Sequence, residues 1–361
     1  MSSPEQFLAI DVGAGTQDIL LYEKGKPPEN CLKMVVPSRT ITVARRIREA
    51  TEAKVPIFLK GNLMGGGACV EAITGHLRAG LEAYATPLAA KTIRDNPAEV
   101  LEMGVKIGEA GPEEAVPIDL RDIDLPCLRQ ALFLFDVPLP ERFAIAVQDH
   151  GECLEGSNRR FRFAYWERFI REGGKLDGLI YKEPPLFMTR MRAIQRDVPG
   201  ALVMDTGAAA MWGAFCDQKV FRRRGEGVLV VNIGNSHTLG ALVQDGRVWG
   251  LFEHHTARMT PAKLEDYLDR LRQGSLSNKE IYADGGHGCV IHPSFSRGLL
   301  FNFVTITGPN RHLASNSGYY FAVPYGDMML TGCFGLLAAA GMLGSNCSPL
   351  QIRPHSGSPP F

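Results

Sequence analysis

Two short strand–turn–strand units about 220 residues apart constrain this chain more than any other feature. In the first, the apolar run 7–10 ends in Asp11-Val12-Gly13-Ala14-Gly15-Thr16, and apolar residues resume at 19–22. In the second, the run 228–232 leads through Asn232-Ile233-Gly234-Asn235-Ser236-His237-Thr238 into the apolar run 238–243. Glycine in such a turn lets backbone N–H groups approach a phosphate, and a nearby carboxylate can hold the cation that neutralises it. Two turns of this kind facing each other would clasp a triphosphate. A unit repeated at the head of each half also argues for two lobes, as does a length of 361 residues.

The remaining pattern fits around these units. Residues 31–36 read as a third strand, 42–53 as a helix and 55–59 as a strand, which together resemble the opening of an RNase-H-like lobe. Gly65-Gly66-Gly67 precedes a helical pattern through residue 77 and either lines a ligand or permits a sharp turn. Residues 97–103 form a short helix, 143–147 a buried strand leading into Gln148-Asp149-His150, and 161–172 an aromatic-rich amphipathic helix. Residues 201–204 predict a strand and 208–215 a helix of small residues, and a strand follows at 247–252. Thr260-Pro261 caps a helix that Gly274 ends. Residues 303–307 are a strand and 328–342 a closely packed glycine-rich helix. The expected organisation is a first lobe over 1–200, with an insert at about 61–200 forming the substrate side, a second lobe over 201–344, and a loose tail over 345–361 that holds four prolines.

On these residues the chain resembles the actin, sugar-kinase and heat-shock-chaperone superfamily, whose members carry five motifs in fixed order. Residues 9–18, AIDVGAGTQD, look like phosphate 1. Met204-Asp205-Thr206-Gly207-Ala208-Ala209-Ala210 resembles connect 1, and 229–240, LVVNIGNSHTLG, resembles phosphate 2. Residues 304–311, VTITGPNR, are similar to the adenosine motif, and 325–340, YGDMMLTGCFGLLAAA, to connect 2. The resemblance implies an α/β protein of two RNase-H-like lobes, the actin-like ATPase fold, with ATP and Mg²⁺ in the cleft between them. It assigns phosphate contacts to Gly13, Ala14, Gly15, Thr16, Gly234, Asn235, Ser236 and Thr238. Nucleoside contacts fall to Gly308, Asn310 and Arg311, and the metal to Asp11 and Asn232. Asp205 is a candidate catalytic carboxylate, with a helix N-cap as its alternative role, and Asp149 a candidate general base.

Three departures accompany the resemblance. Asn232 stands where the superfamily places aspartate, Asn235 and Ser236 replace turn glycines, and Gly308-Pro309 replaces a glycine pair; weaker metal binding and slower hydrolysis follow. Within the superfamily the chain looks most like the family labelled pyruvate formate-lyase activating-enzyme related. That label implies radical S-adenosylmethionine chemistry, which needs a closely spaced cysteine triplet. The eight cysteines, at 31, 69, 127, 153, 216, 289, 333 and 347, supply none.

Composition narrows the partners. Lysine plus arginine and aspartate plus glutamate balance at 39 each, so no global field draws nucleic acid or an acidic membrane surface. No apolar run approaches a membrane span, and residues 2–6 show no basic leader, so a cytoplasmic protein with reduced, buried cysteines is expected. Cys289 and Cys333 read as core thiols. His254-His255 and the segment 287–292 read as solvated loop histidines rather than a transition-metal site, because neither shows a ligand spacing. Three functions remain open: a small-molecule kinase or slow ATPase, an ATP-driven switch or activase acting on a protein client, and a non-catalytic binder of a nucleotide or phosphorylated metabolite. The oligomeric state is left open.

Overall fold

The computed structural model describes residues 5–295 and 301–344, with Cys347 and Pro349; the rest of the expected 345–361 tail lies outside the described residues. Two six-stranded sheets repeat one plan. In the first the order is Leu32–Pro37, Thr16–Glu23, Gln6–Val12, Phe143–Val147, Leu202–Asp205 and Ile180–Tyr181. The first three strands form an antiparallel meander. Phe143–Val147 adds parallel to Gln6–Val12, and Leu202–Asp205 adds parallel beyond it. In the second sheet Arg247–His255, His237–Gln244 and Val228–Ile233 make the meander, Phe303–Thr307 and Tyr320–Phe321 add in parallel, and Gly288–Ile291 pairs antiparallel to Arg247–His255 at the other edge. Each lobe is therefore RNase-H-like, and the α/β two-lobed fold expected from the motifs is the fold observed.

The central strands are apolar along their middles because both faces are covered there: Leu8, Ala9 and Ile10 are buried, as are Leu229, Val230 and Val231. Between the lobes lie two helices, Thr206–Ala214 and Thr331–Ala339, which are buried nearly all round. They cross at backbone contact. A Cβ on Gly213 would overlap the Thr331 carbonyl oxygen, and one on Gly335 would overlap that of Ala209. Their small residues let one core run through both lobes, with Phe7, Trp212, Val230 and Phe334 in a single cluster.

The insert is placed differently from the expectation. The helix Arg39–Glu52 and strand Ile57–Gly61 do not continue the first lobe. They belong to a separate parallel sheet, ordered Val105–Ile107, Ala83–Ala85, Ile57–Gly61 and Val116–Leu120. Its own core includes Val43, Ile47, Ile57 and Ile73. The first lobe's fourth strand is Phe143–Val147, and much of 143–205 is lobe rather than insert. A parallel partner always lies across a crossover, so the local pattern of 42–59 could not show which sheet that strand joins. Among the described residues no helix is long and apolar enough to cross a membrane.

Candidate functional site

The two turns are built alike. Gly13 N–H donates to the Thr16 carbonyl and Gly234 N–H to the His237 carbonyl, both at 2.9 Å. They meet across the cleft: a Cβ on Gly15 would stand 2.8 Å from Asn235 Nδ2, so glycine is what allows the approach. The adenosine-type turn lies against the same place. Gly308 takes φ +100° beside the Ile233 carbonyl, and Asn310 donates from its backbone N–H to Ile233 O and from Nδ2 to Gly234 O, each at 3.0 Å. Asn310 thus braces the second turn. Thr238 is fully buried and shares a 3.0 Å hydrogen bond with Thr256, whose hydroxyl donates to Gly234 O. It supports the turn from behind and presents no group to the cleft, contrary to its expected phosphate contact. Gly308 lines the smaller of two adjoining cavities, whereas Arg311 lines neither.

Asp11 ends the first strand and accepts from the Thr206 hydroxyl at 2.7 Å. Asp18 stands opposite it in the antiparallel ladder, with Oδ1 buried and unpartnered. Burial pushes both carboxyls up to about 7, and at Asp18 the Asp11 charge adds to the rise. Asn232 borders the same space. Hard oxygen donors, one of them orphaned, are the set a Mg²⁺ ion takes, so these residues fit that cation. Asp18 was absent from the sequence-based assignment because its turn-flanking position resembles any strand residue; only the ladder brings it to Asp11.

Beyond the turns opens a larger cavity of about 280 Å³, to which Gly13, Ala14, Gly234, Asn235 and Ser236 contribute from the turn side. Asp149 borders it, but its two oxygens accept the N–H groups of Gly151 and Met191 at 2.8 and 2.9 Å. Its carboxylate holds the loop in shape. Asp205 caps the helix Thr206–Ala214 through Gly207 N–H and lies in neither cavity, so the N-cap alternative describes its position and the catalytic assignment does not. Its partner is Arg162, a residue the sequence reading passed over. Arg162 is 3% exposed and donates to Asp205, to Glu253 and to the Asp149 carbonyl. Gln148 donates to Glu253 at 2.7 Å and completes the network. The guanidinium beside Glu253 holds that carboxyl well below the usual range despite its burial. Its signal was present: Arg162, Trp166 and Ile170 make the buried i, i+4, i+8 stripe of the helix Asn158–Arg171.

His254 and His287 are buried and His255 half-buried, so these are not solvated loop histidines. His150 from the first lobe meets His237 and His287 from the second, with one ring nitrogen from each lying within 4.8 Å of the others. Burial pushes His237 down to about 4 and His287 to about 3, and His150 well below its ordinary value. His254 faces the opposite side of its strand, with Nε2 3.0 Å from Asp284, while His255 stacks on His237 and His287. Adjacent strand residues point to opposite faces, so the pair His254-His255 could never have acted together. The real cluster joins three separate chain segments and has no sequence spacing to find.

A profile of the family described as "Putative pyruvate format-lyase activating enzyme (DUF1786)" matches residues 64–313. No curated protein matches. Similar solved structures include the ethanolamine utilization protein EutJ from Carboxydothermus hydrogenoformans, at 10% identity over 92% of this chain and 89% of that one, with a TM-score of 0.28. A Ppx/GppA family member from Aquifex aeolicus is 9% identical over 75% of this chain and 61% of its own, with a TM-score of 0.28. The type II variant of the Aquifex aeolicus Ppx/GppA phosphatase is 9% identical over 84% and 68%, with a TM-score of 0.31. The fold assignment rests on the strand order of both sheets rather than on these distant likenesses.

Proposed function

The chain belongs to that family, and we propose that it binds ATP with Mg²⁺ between its lobes and passes a phosphoryl group slowly to a small molecule in the larger cavity. The carrying observation is the contact of Gly15 with Asn235 above the Asp11–Asp18 pair. Backbone N–H groups of both turns would hold the phosphates, and Asp11, Asp18 and Asn232 would hold the cation that neutralises them. Gly13, Ala14, Gly234 and Asn235 border both cavities, so a terminal phosphate on the turns lies at the mouth of the larger one. There Arg190, paired to Asp122, and Lys91, paired to Glu152, supply polar walls for an acceptor. With Asp205 held by Arg162 and Asp149 by two backbone N–H groups, neither expected carboxylate is free to act as a strong base, which favours slow turnover.

The family's description points to activation chemistry that requires an iron–sulfur cluster. Among the described residues, the one group of three metal-ligating side chains is histidine, and although Cys216 and Cys347 lie side by side, no three of the eight cysteines converge. That donor set does not fit the cluster. A switch acting on a protein client is the second reading, favoured by the two glycine-lined helices whose crossing joins the lobes.

A thermal melt tests binding. Millimolar ATP with Mg²⁺ should raise Tm, because a ligand of the native state stabilises it with the logarithm of its concentration over Kd. Asp11→Asn should remove most of that rise. A wild-type protein that melts unchanged overturns the proposal.

A further inference from the structure

We infer that His150, His237 and His287 form a second metal site, for a borderline transition dication such as Zn²⁺, which ties the two lobes together and keeps one coordination position open to the larger cavity. This goes beyond the nucleotide reading, which places a hard cation at Asp11 and uses none of these residues.

The geometry carries the inference. His150 Nε2 and His287 Nε2 lie 3.1 Å apart. Two imidazole nitrogens on a tetrahedral Zn²⁺, with bonds of about 2.1 Å, stand about 3.4 Å apart, so this pair is already near ligand spacing. Without a metal, one proton can satisfy that pair, but His237 Nε2 remains buried with no partner. An orphaned buried ring nitrogen is costly, and a cation within reach of all three rings removes the cost. The protein imposes this arrangement from three directions: the loop after Phe143–Val147, the start of His237–Gln244, and the segment before Gly288–Ile291, where His287 N–H donates to Glu253 O.

The surroundings suit a cation. Asp205 and Glu253 place two carboxylates against the single Arg162 guanidinium, which leaves one negative charge buried behind the rings. Imidazole donors select Zn²⁺ and its neighbours over Mg²⁺. Three protein ligands with an open fourth position are the pattern of reactive rather than structural zinc. His150 and His237 line the larger cavity, and His237 follows the second phosphate turn, so the open position faces the space where a phosphate oxygen or water would stand.

Metal-stripped full-length protein titrated with Co²⁺, and separately with Zn²⁺ by calorimetry, tests the site. One equivalent should bind, with the intense visible bands of low-coordinate cobalt, no thiolate charge-transfer band, and displacement by Zn²⁺. His287→Ala and His150→Ala should each weaken uptake by about 100-fold or more, while the exposed His312→Ala should bind as wild type. Circular dichroism identifies any variant that has not folded, and the wild-type titration stands independently of the variants. Absence of stoichiometric uptake by wild type, a thiolate band, or uptake that survives in both folded cluster variants overturns the site. Zn²⁺ without nucleotide and Mg²⁺–ATP without Zn²⁺ are run as separate arms on wild type, so that failure of one reading is distinguished from failure of the other.

Discussion

At the scale of single residues, Arg162 decides whether two buried carboxylates are tolerable. Glu253 is 2% exposed and Asp205 5%, and among the described residues only this guanidinium, with five fixed donors, bonds to both. Removing one member of a buried ion network costs about 3–5 kcal/mol, because the charges left behind cannot return to water. Arg162→Leu should therefore shift the denaturant midpoint strongly downward. Arg162→Lys should fall between, since a lysine keeps the charge but loses the fork. An Arg162→Leu protein with an unchanged midpoint would mean that the carboxylates are not ionised in the fold. The example also shows how far single residues were legible. Asp11 and the glycines of both turns could be picked out because their chemistry is local. Arg162 was visible only as a cation on an apolar stripe, and His150, His237 and His287 carry no joint signal, because their separations of 87 and 50 residues reflect topology alone.

Among the elements, the crossing of Thr206–Ala214 over Thr331–Ala339 is where sequence and packing agree most closely. Both segments read as small-residue helices, and the reason for the small residues is contact between the backbones themselves. Overpacking a tight core typically costs about 1–3 kcal/mol. Gly335→Ala faces the Ala209 carbonyl, which cannot give way as a flexible side chain would, so its loss should reach the upper end of that range. Gly341→Ala, with nothing near its Cβ, is the comparison for spacing, though its φ of +71° adds strain of its own. If Gly335→Ala leaves Tm unchanged, the helices do not cross at backbone distance. The meanders were legible for a similar reason. The strand read at 228–232 is observed as Val228–Ile233, since a hairpin partner lies next to it in sequence. The strand read at 55–59 was found in nearly the right place, yet in the wrong sheet, because nothing local records which parallel neighbour a strand will meet.

For the whole molecule, the question is whether the lobes must part to admit a nucleotide. The smaller cavity, bounded by both turns, Gly308 and the helix carrying Gly332, holds only about 80 Å³, and the turns touch at Gly15 and Asn235. A triphosphate lying between them requires that contact to open. The structure offers a direct lock: the ideal Cβ of residue 15 is 3.7 Å from that of Asn235, within the 3.5–4.5 Å of about every native disulfide. In Gly15→Cys/Asn235→Cys, oxidation should cross-link the lobes at the mouth of the cleft, and the native cysteines offer little competition because six of the eight are buried. The oxidised variant should lose the rise in Tm given by Mg²⁺–ATP, and dithiothreitol should restore it, although the substitutions themselves weaken binding in both forms. The comparison that matters is oxidised against reduced within the same variant, since both carry the same side chains. Restoration on reduction means that nucleotide entry depends on separation of the turns, with the helix crossing as the pivot. Equal binding in the two redox states would instead place the phosphates outside the contact of the turns, and the cleft would have to be entered from the side of the larger cavity.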